Sequence, residues 1–155
     1  MSPGVSRVAQ LTLRTANEGD GKAIRDLLER SGLPASDLNT ARPEFVLAIS
    51  AGQIIGIGAL EHFGSAALLR SVAVEPQWRG SGVGRLLIGE LERRARAAGI
   101  GELILLTLTA ADFFRRLGYG TKDRARVPAA VIDSAEFRSL CPTSAICMAK
   151  YLPTD

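Results

Sequence analysis

The sequence predicts one mixed α/β domain spanning residues 1–155. Three observations predict it. The chain has 155 residues, of which 46% are hydrophobic and 23% charged, enough for a single domain that buries about 70% of its unfolded surface. Runs of alternating apolar residues and runs of helical periodicity succeed one another along the whole length, with no linker, repeat or low-complexity tract between them. One run, Ala66–Val74, reads A-A-L-L-R-S-V-A-V, apolar on both alternating faces as a central strand covered on both sides would be.

In chain order, Leu11–Thr15 alternates like a half-buried strand. Asp20 is then positioned to cap a helix whose Ile24, Leu27 and Leu28 share one face before Gly32 and Pro34 stop it. Phe45–Ser50 and Gln53–Leu60 are strands joined through Ala51-Gly52 as a hairpin, and Gly64-Ser65 turns into the central strand. Val83, Leu87, Leu91, Ala95 and Ala98 recur at helical spacing from Gly82 to Ala98, where Gly99 and Gly101 end the segment. Glu102–Thr107 is a strand. Thr109-Ala110-Ala111-Asp112 resembles a capping box that opens a short helix, Ala111–Leu117. A strand at Tyr119–Val127, a short helix at Ser134–Leu140 and a last strand at Ala145–Leu152 complete the pattern.

Lys+Arg 19 against Asp+Glu 16 gives +3, and all but three of the basic residues are arginine, which favours planar oxyanion partners. Ten basic and five acidic residues fall between Arg79 and Arg126, leaving the rest of the chain slightly acidic. Charge so confined suits a small anionic ligand rather than a nucleic-acid surface. Two cysteines are too few for a disulfide scaffold, the opening Met1–Leu13 has no apolar core of signal-peptide length, and no apolar run approaches the ~18 residues of a membrane span. The expectation is a cytoplasmic protein without membrane or nucleic-acid partners and without a metal.

Val74-Glu75-Pro76-Gln77-Trp78-Arg79-Gly80-Ser81-Gly82-Val83-Gly84-Arg85 joins the central strand to the strongest helix. Alternate glycines let the backbone approach a ligand closely, and the unpaired N–H groups of a helix N-terminus favour phosphate. The dinucleotide fingerprint fails here, because its last glycine falls on Arg85 or Leu87. The Walker loop also fails, because Glu90-Leu91 stands where Lys-Ser/Thr is required. Arg79-Gly80-Ser81-Gly82-Val83-Gly84 instead resembles the Q/R-x-x-G-x-G/A loop of the GNAT N-acetyltransferases. S-V-A-V-E-P before it resembles that family's fourth strand, and Ala110–Tyr119 resembles its A-x-x-F-Y-x-x-x-G-F helix segment.

The resemblance implies the GNAT fold, a mixed and mostly antiparallel sheet with helices on both faces. It implies acetyl-CoA as acetyl donor. Val72, Ala73 and Val74 would face the pantetheine arm, the amides from Arg79 through Gly80, Ser81, Gly82, Val83 and Gly84 to Arg85 would hold the pyrophosphate, and Phe114 would line the cofactor site. Dimers are common in the family, so a homodimer is a further expectation by analogy.

Acetyl transfer to an amine needs a neutral nitrogen, a polarised carbonyl and a proton for the departing thiolate. An α-amino group near pKa 8 is about 10% neutral at pH 7, whereas a lysine-like amine near 10.4 costs about 4.6 kcal/mol to deprotonate. By analogy Glu61, at the end of the third strand, is the candidate base acting through water; the alternative is an ordinary exposed strand-end acid. Thr107 stands where the family often has Asn and is a candidate to bond the cofactor or a water. Phe114 replaces the tyrosine that often serves as general acid, so either the thiolate leaves unaided or another group such as Tyr119 protonates it.

Arg70 and Ser71 interrupt the central strand. Arg70 either recognises an anionic acceptor or forms a structural pair with Glu61. Cys141 and Cys147 are read as core cysteines, or as a chelating pair if Pro142–Ser144 turns. L-L-R-S-V-A-V, L-L-T-x-T-A-x-x-F-F and E-F-x-x-L-C-P-x-S-A-x-C-M together resemble the acetyltransferases of arsenic-resistance operons, which implies detoxification of a small toxic amine. Acetylation of a protein N-terminus or lysine, and a non-catalytic acyl-CoA sensor, remain the alternatives.

Overall fold

The computed structural model describes residues 10–140 and 144–153. Its sheet has seven strands: β1 (Thr12–Thr15), β2 (Glu44–Ser50), β3 (Gln53–Phe63), β4 (Ala66–Val74), β5 (Glu102–Thr107), β6 (Gly120–Thr121) and β7 (Ile146–Tyr151), in the order β1-β2-β3-β4-β5-β7-β6. Neighbours run antiparallel except β4 and β5. That parallel pair is joined by a crossover helix, as parallel strands require. The helices are α1 (Gly21–Arg30), α2 (Leu38–Ala41), α3 (Val83–Ala97), α4 (Ala111–Arg116) and α5 (Ala129–Ile132).

Period-two alternation sends neighbouring residues of a strand to opposite layers. On β2, Val46 and Ala48 join the core under α3, where Val83, Leu87, Leu91 and Ala95 form the helix face. Phe45 and Leu47 point the other way, onto Ile24, Leu27 and Leu28 of α1. A third cluster on Leu68 and Ile104 is closed by Val131 of α5 and by Phe137. Helices therefore cover both faces. The β2–β3 turn places Ala51 at φ 50° and Gly52 at φ 77°, the left-handed pair that a two-residue hairpin needs.

Two glycines of β3 set the depth of α3. A Cβ on Gly56 would lie 2.9 Å from Val83 Cγ1, and one on Gly58 would lie 2.8 Å from Leu91 Cδ1. The helix rests on bare backbone, and its N-terminus is fixed beside the end of β4.

Several expectations from the sequence change. Asn17, not Asp20, provides the first cap: its side chain accepts from Gly19 N–H, and Asp20 accepts the Asn17 N–H in return. Asp20 also takes both arms of Arg14, at 2.7 and 2.9 Å. The predicted strand Tyr119–Val127 shrinks to Gly120–Thr121, because Asp123 accepts from Ala125 N–H and starts a 3-10 turn at Arg124–Arg126. The predicted helix Ser134–Leu140 is a single wide turn of π type, Glu136–Leu140. Helix α2 has no apolar stripe to announce it and was absent from the sequence reading. No helix among the described residues is long and apolar enough to cross a membrane.

Candidate active site

β4 pairs with β5 over three positions, Ala66 to Leu68, while its pairing with β3 continues to Val74. Beyond Leu68 the two parallel strands diverge, and the β5-facing edge of β4 borders a cavity of about 900 Å³. That volume lies in the range of small-molecule sites. Leu69 to Val74 form one wall, Leu105 to Ala110 the opposite wall, and Phe113 and Phe114 the floor beside them. Val72, Ala73 and Val74 thus border the cavity where an extended ligand can lie against strand backbone.

A bulge re-aims this wall. Gly58 of β3 stands opposite two residues of β4, because Ile57 pairs with Ala73 but Ala59 pairs with Arg70. Ser71 absorbs the extra residue at φ 60°, which a non-glycine residue adopts at a cost of about 1 kcal/mol or more.

At one end of the cavity the loop after β4 turns through Pro76–Trp78 and enters α3 with Gly80 at φ 75° and Gly82 at φ 97°. Both glycines occupy conformations that a Cβ would strain. Glu75 ties the loop to α1, accepting both arms of Arg30 at 2.8 and 3.1 Å, and those bonds hold its carboxyl below the usual range. The first ladder bond of α3 runs from Leu86 N–H to Gly82 O at 3.1 Å. The N–H groups of Val83, Gly84 and Arg85 therefore precede the ladder without intrahelical partners, at the positive end of the helix dipole.

Two loop positions differ from expectation. Arg79 N–H donates to Pro76 O and Ser81 N–H to Trp78 O, and the Ser81 hydroxyl also donates to Trp78 O. Both backbone N–H groups are thereby engaged in holding the loop's shape. Gly80, Gly82, Val83, Gly84 and Arg85 all line the cavity, at the end of the helix whose free N–H groups suit an anion. The Arg79 side chain lines it too, as does Arg116 of α4, which the sequence reading passed over because the adjacent motif residues drew the assignment. Three arginines at this end suit a polyanionic ligand.

The other end is built around Arg70, whose side chain is fully buried. Its Nη1 donates to Asp37 Oδ2 and Glu61 Oε1, its Nη2 to Asp37 Oδ1, and its Nε to Ser71 Oγ at 3.3 Å. Glu136 Oε1 lies 3.8 Å from Nε. Burial opposes the charge, but Asp37 and the other carboxylates outweigh it and raise the guanidinium above its ordinary range. One cation thus faces three carboxylates. Of the two readings of Arg70, the pair with Glu61 is present and is joined by Asp37; the protein engages four of its five N–H donors, and an oxyanion acceptor here would meet like charges.

Glu61 is 12% exposed and turned onto Arg70; among the described residues the carboxylate lining the cavity is Glu136. Glu136 opens the E-F-x-x-L-C-P segment, but nothing local marks its place at the site, because an irregular turn far along the chain folds it in. Thr107 ends β5 at the cavity wall, where its Oγ1 accepts Ala110 N–H at 3.0 Å. That bond closes the turn before α4; the cap expected of Thr109 is not formed, and the Thr107 O–H is free to turn toward a ligand. Phe114 packs edge-on between Phe113 and Tyr119. Tyr119 donates to Glu92 Oε2 at 2.8 Å in the core, where burial and that carboxylate push its hydroxyl well above the ordinary phenol range. It is no proton donor for the cavity. Cys147 is buried, which raises its thiol; Cys141 lies outside the described residues.

A model of the acetyltransferase (GNAT) domain matches residues 41–121, from α2 through the glycine loop to β6. The chain belongs to the GNAT acetyltransferases. An uncharacterized N-acetyltransferase of Chlorobaculum tepidum is 35% identical to this GNAT protein over 86 residues, 55% of each chain. The amino-acid acetyltransferase of Pseudomonas fluorescens is 38% identical over 81 residues, 51% of this chain and 19% of its own. The chain thus spans about half the length of the first relative and a fifth of the second. Rv2747 from Mycobacterium tuberculosis, solved in complex with CoA, has 27% identity and a TM-score of 0.79, covering 92% of this chain and 99% of that one. N-acetylglutamate synthase from Neisseria gonorrhoeae shares the GNAT fold, with a TM-score of 0.80 at 23% identity over 92% of this chain and 35% of its own.

Proposed function

We propose that the protein is an acetyl-CoA-dependent N-acetyltransferase whose acceptor is the amine of a small, amino-acid-like molecule. The observation that carries this reading is the cavity, with free helix N–H groups and three arginines at one end, an unpaired strand edge in the middle, and a buried ionic cluster at the other end. The first suits a pyrophosphate, the second a pantetheine arm, and the third an acceptor's polar head. Bound acetyl-CoA supplies an activated acyl group. The chain's residues hold it, bring the amine beside it in a ternary complex, and exclude water.

The names of the Pseudomonas relatives support amino-acid-like acceptors over a protein N-terminus or lysine. Phe114 at the position often held by tyrosine, together with the engaged Tyr119, favours direct departure of the thiolate, tolerable for a thiol with pKa near 8.5. A detoxifying role in an arsenic-resistance setting, in the cytoplasm and as a homodimer, extends the proposal on sequence resemblance. The test is incubation with acetyl-CoA and a panel of amino acids, amines and toxic amino-acid analogues while thiol release is followed. Release with an amino-acid-like acceptor is expected. Coenzyme A binding without release on any acceptor overturns the activity, and release only with peptides overturns the acceptor class.

A further inference from the structure

Glu136 stands apart from the two other carboxylates around Arg70. Asp37 and Glu61 each accept hydrogen bonds of 2.6 to 3.0 Å from that guanidinium. Glu136 does not: Arg70 Nε, 3.8 Å away, is beyond hydrogen-bond reach, and among the described residues no donor is bonded to its carboxylate. Its side chain is nevertheless 6% exposed, and that remnant borders the cavity beside Ser71. A carboxylate so placed, nearly buried, not hydrogen-bonded by the described residues and open to the cavity, presents its acceptor oxygens to a donor that enters that cavity.

We infer that Glu136, rather than Glu61, receives the acceptor's ammonium and takes its proton. The inference rests on the transferase reading above and assigns its acceptor end. Three carboxylates against one arginine leave that end net negative, which draws the acceptor in as a cation. The proton then passes from nitrogen to Glu136, and the freed lone pair forms the C–N bond to the acetyl carbonyl as the C–S bond breaks. The sulfur departs as the thiolate and then takes up the second nitrogen proton, giving the free thiol, and Glu136 returns its proton to water. Burial sets the readiness of the carboxyl for this exchange. Opposed by Arg70 and reinforced by Asp37 and Glu61, burial pushes its pKa up to about 7, close to the operating pH that proton transfer favours.

The experiment compares two acceptors: the amino acid that releases thiol fastest from the panel, and aminooxyacetate, whose nitrogen is already the neutral NH2 group at neutral pH and needs no base to free its lone pair. In the wild type, kcat/KM for the amino acid should climb with pH and level off just above about 7, while that for aminooxyacetate should vary little. Glu136→Gln should lower the amino-acid value by about 100-fold or more and abolish the levelling, so that the rate climbs toward the amine's own pKa; aminooxyacetate should lose less than about 3-fold. Coenzyme A affinity should be unchanged, and Glu61→Gln should retain the levelling. Equal losses on both acceptors, or levelling that survives in Glu136→Gln, would overturn the assignment. Should that variant fail to bind coenzyme A or to fold, the wild-type profiles still decide: an unbroken climb to the amine's own pKa refutes Glu136 alone. No thiol release from any acceptor refutes the transferase reading, and this one with it.

Discussion

Arg70 holds Asp37 through both arms of its guanidinium, Nη1 to Oδ2 at 2.6 Å and Nη2 to Oδ1 at 2.7 Å. The pair ties the central strand to the turn before α2, across an ionic cluster that is largely buried and opens to the cavity at Glu136. Bidentate geometry of this kind is available to arginine and not to lysine.

Arg70→Ala should therefore fail as a folded protein before it fails as an enzyme. Removing one partner of a buried ion pair costs about 3–5 kcal/mol, and here three carboxylates would be left without their cation. Urea unfolding should show a loss of that order, with Arg70→Lys in between. A variant as stable as the wild type, with a raised KM for an anionic acceptor alone, would restore the recognition role expected from sequence.

Glu136 makes a second, opposite statement about stability. Its pKa is raised in the fold from 4.5 to about 7, so between those values the folded chain binds more protons than the unfolded one. Stability from this group is then present below pH 4.5 and lost as pH rises through about 7. Glu136→Gln should be more stable than the wild type at pH 8, by about 1–3 kcal/mol, with the difference vanishing near pH 4.5. Thermal melts at the two pH values check it.

Tyr119→Phe separates a proton donor from a core bond. The hydroxyl spans from α4's end to Glu92 on α3, which Lys150 also binds at 3.1 and 3.2 Å. Its loss should cost about 1–2 kcal/mol of stability and leave kcat for thiol release within about 2-fold, since catalytic proton transfer is worth about 100-fold or more. A drop of that larger size would make Tyr119 the acid after all.

Gly58→Ala should weaken coenzyme A binding at a distance. The new methyl would sit 2.8 Å from Leu91 Cδ1, and overpacking of this kind costs about 1–3 kcal/mol. The strain is relieved by lifting α3, whose first N–H groups line the cavity. Titration calorimetry should show weaker coenzyme A binding, whereas Gly21→Ala, with nothing within 4 Å of the new Cβ, should not.

Legibility from sequence divided along physical lines. The strands of the sheet's centre, the hairpin at Ala51-Gly52 and the glycine loop before α3 were readable because each is written in local chemistry: alternation, left-handed turn residues, a helix start. The Arg70 cluster was half readable. A charge on a central strand demands partners, and Glu61 was nameable from its place on the neighbouring strand, but Asp37 and Glu136 arrive from segments 33 residues before and far after it, and nothing local announces either. The backbone N–H groups of Ser81 and Arg79 show the reverse: their motif positions suggest ligand contacts, while the loop's own carbonyls take both donors, and Arg79 lines the cavity all the same.

Ser71 at φ 60° divides β4 into two stretches with separate duties. Upstream, Ala67 and Leu69 are held to the alternation of the hydrophobic core; downstream, Val72 to Val74 present the cavity wall. The odd residue between them uncouples the phase of one stretch from that of the other. Ala67 can be exchanged for a residue of similar volume without rotating the wall, whereas Val72 and Val74 line the cavity and pack against the core at once, so re-tailoring them to a new acyl donor also alters core packing.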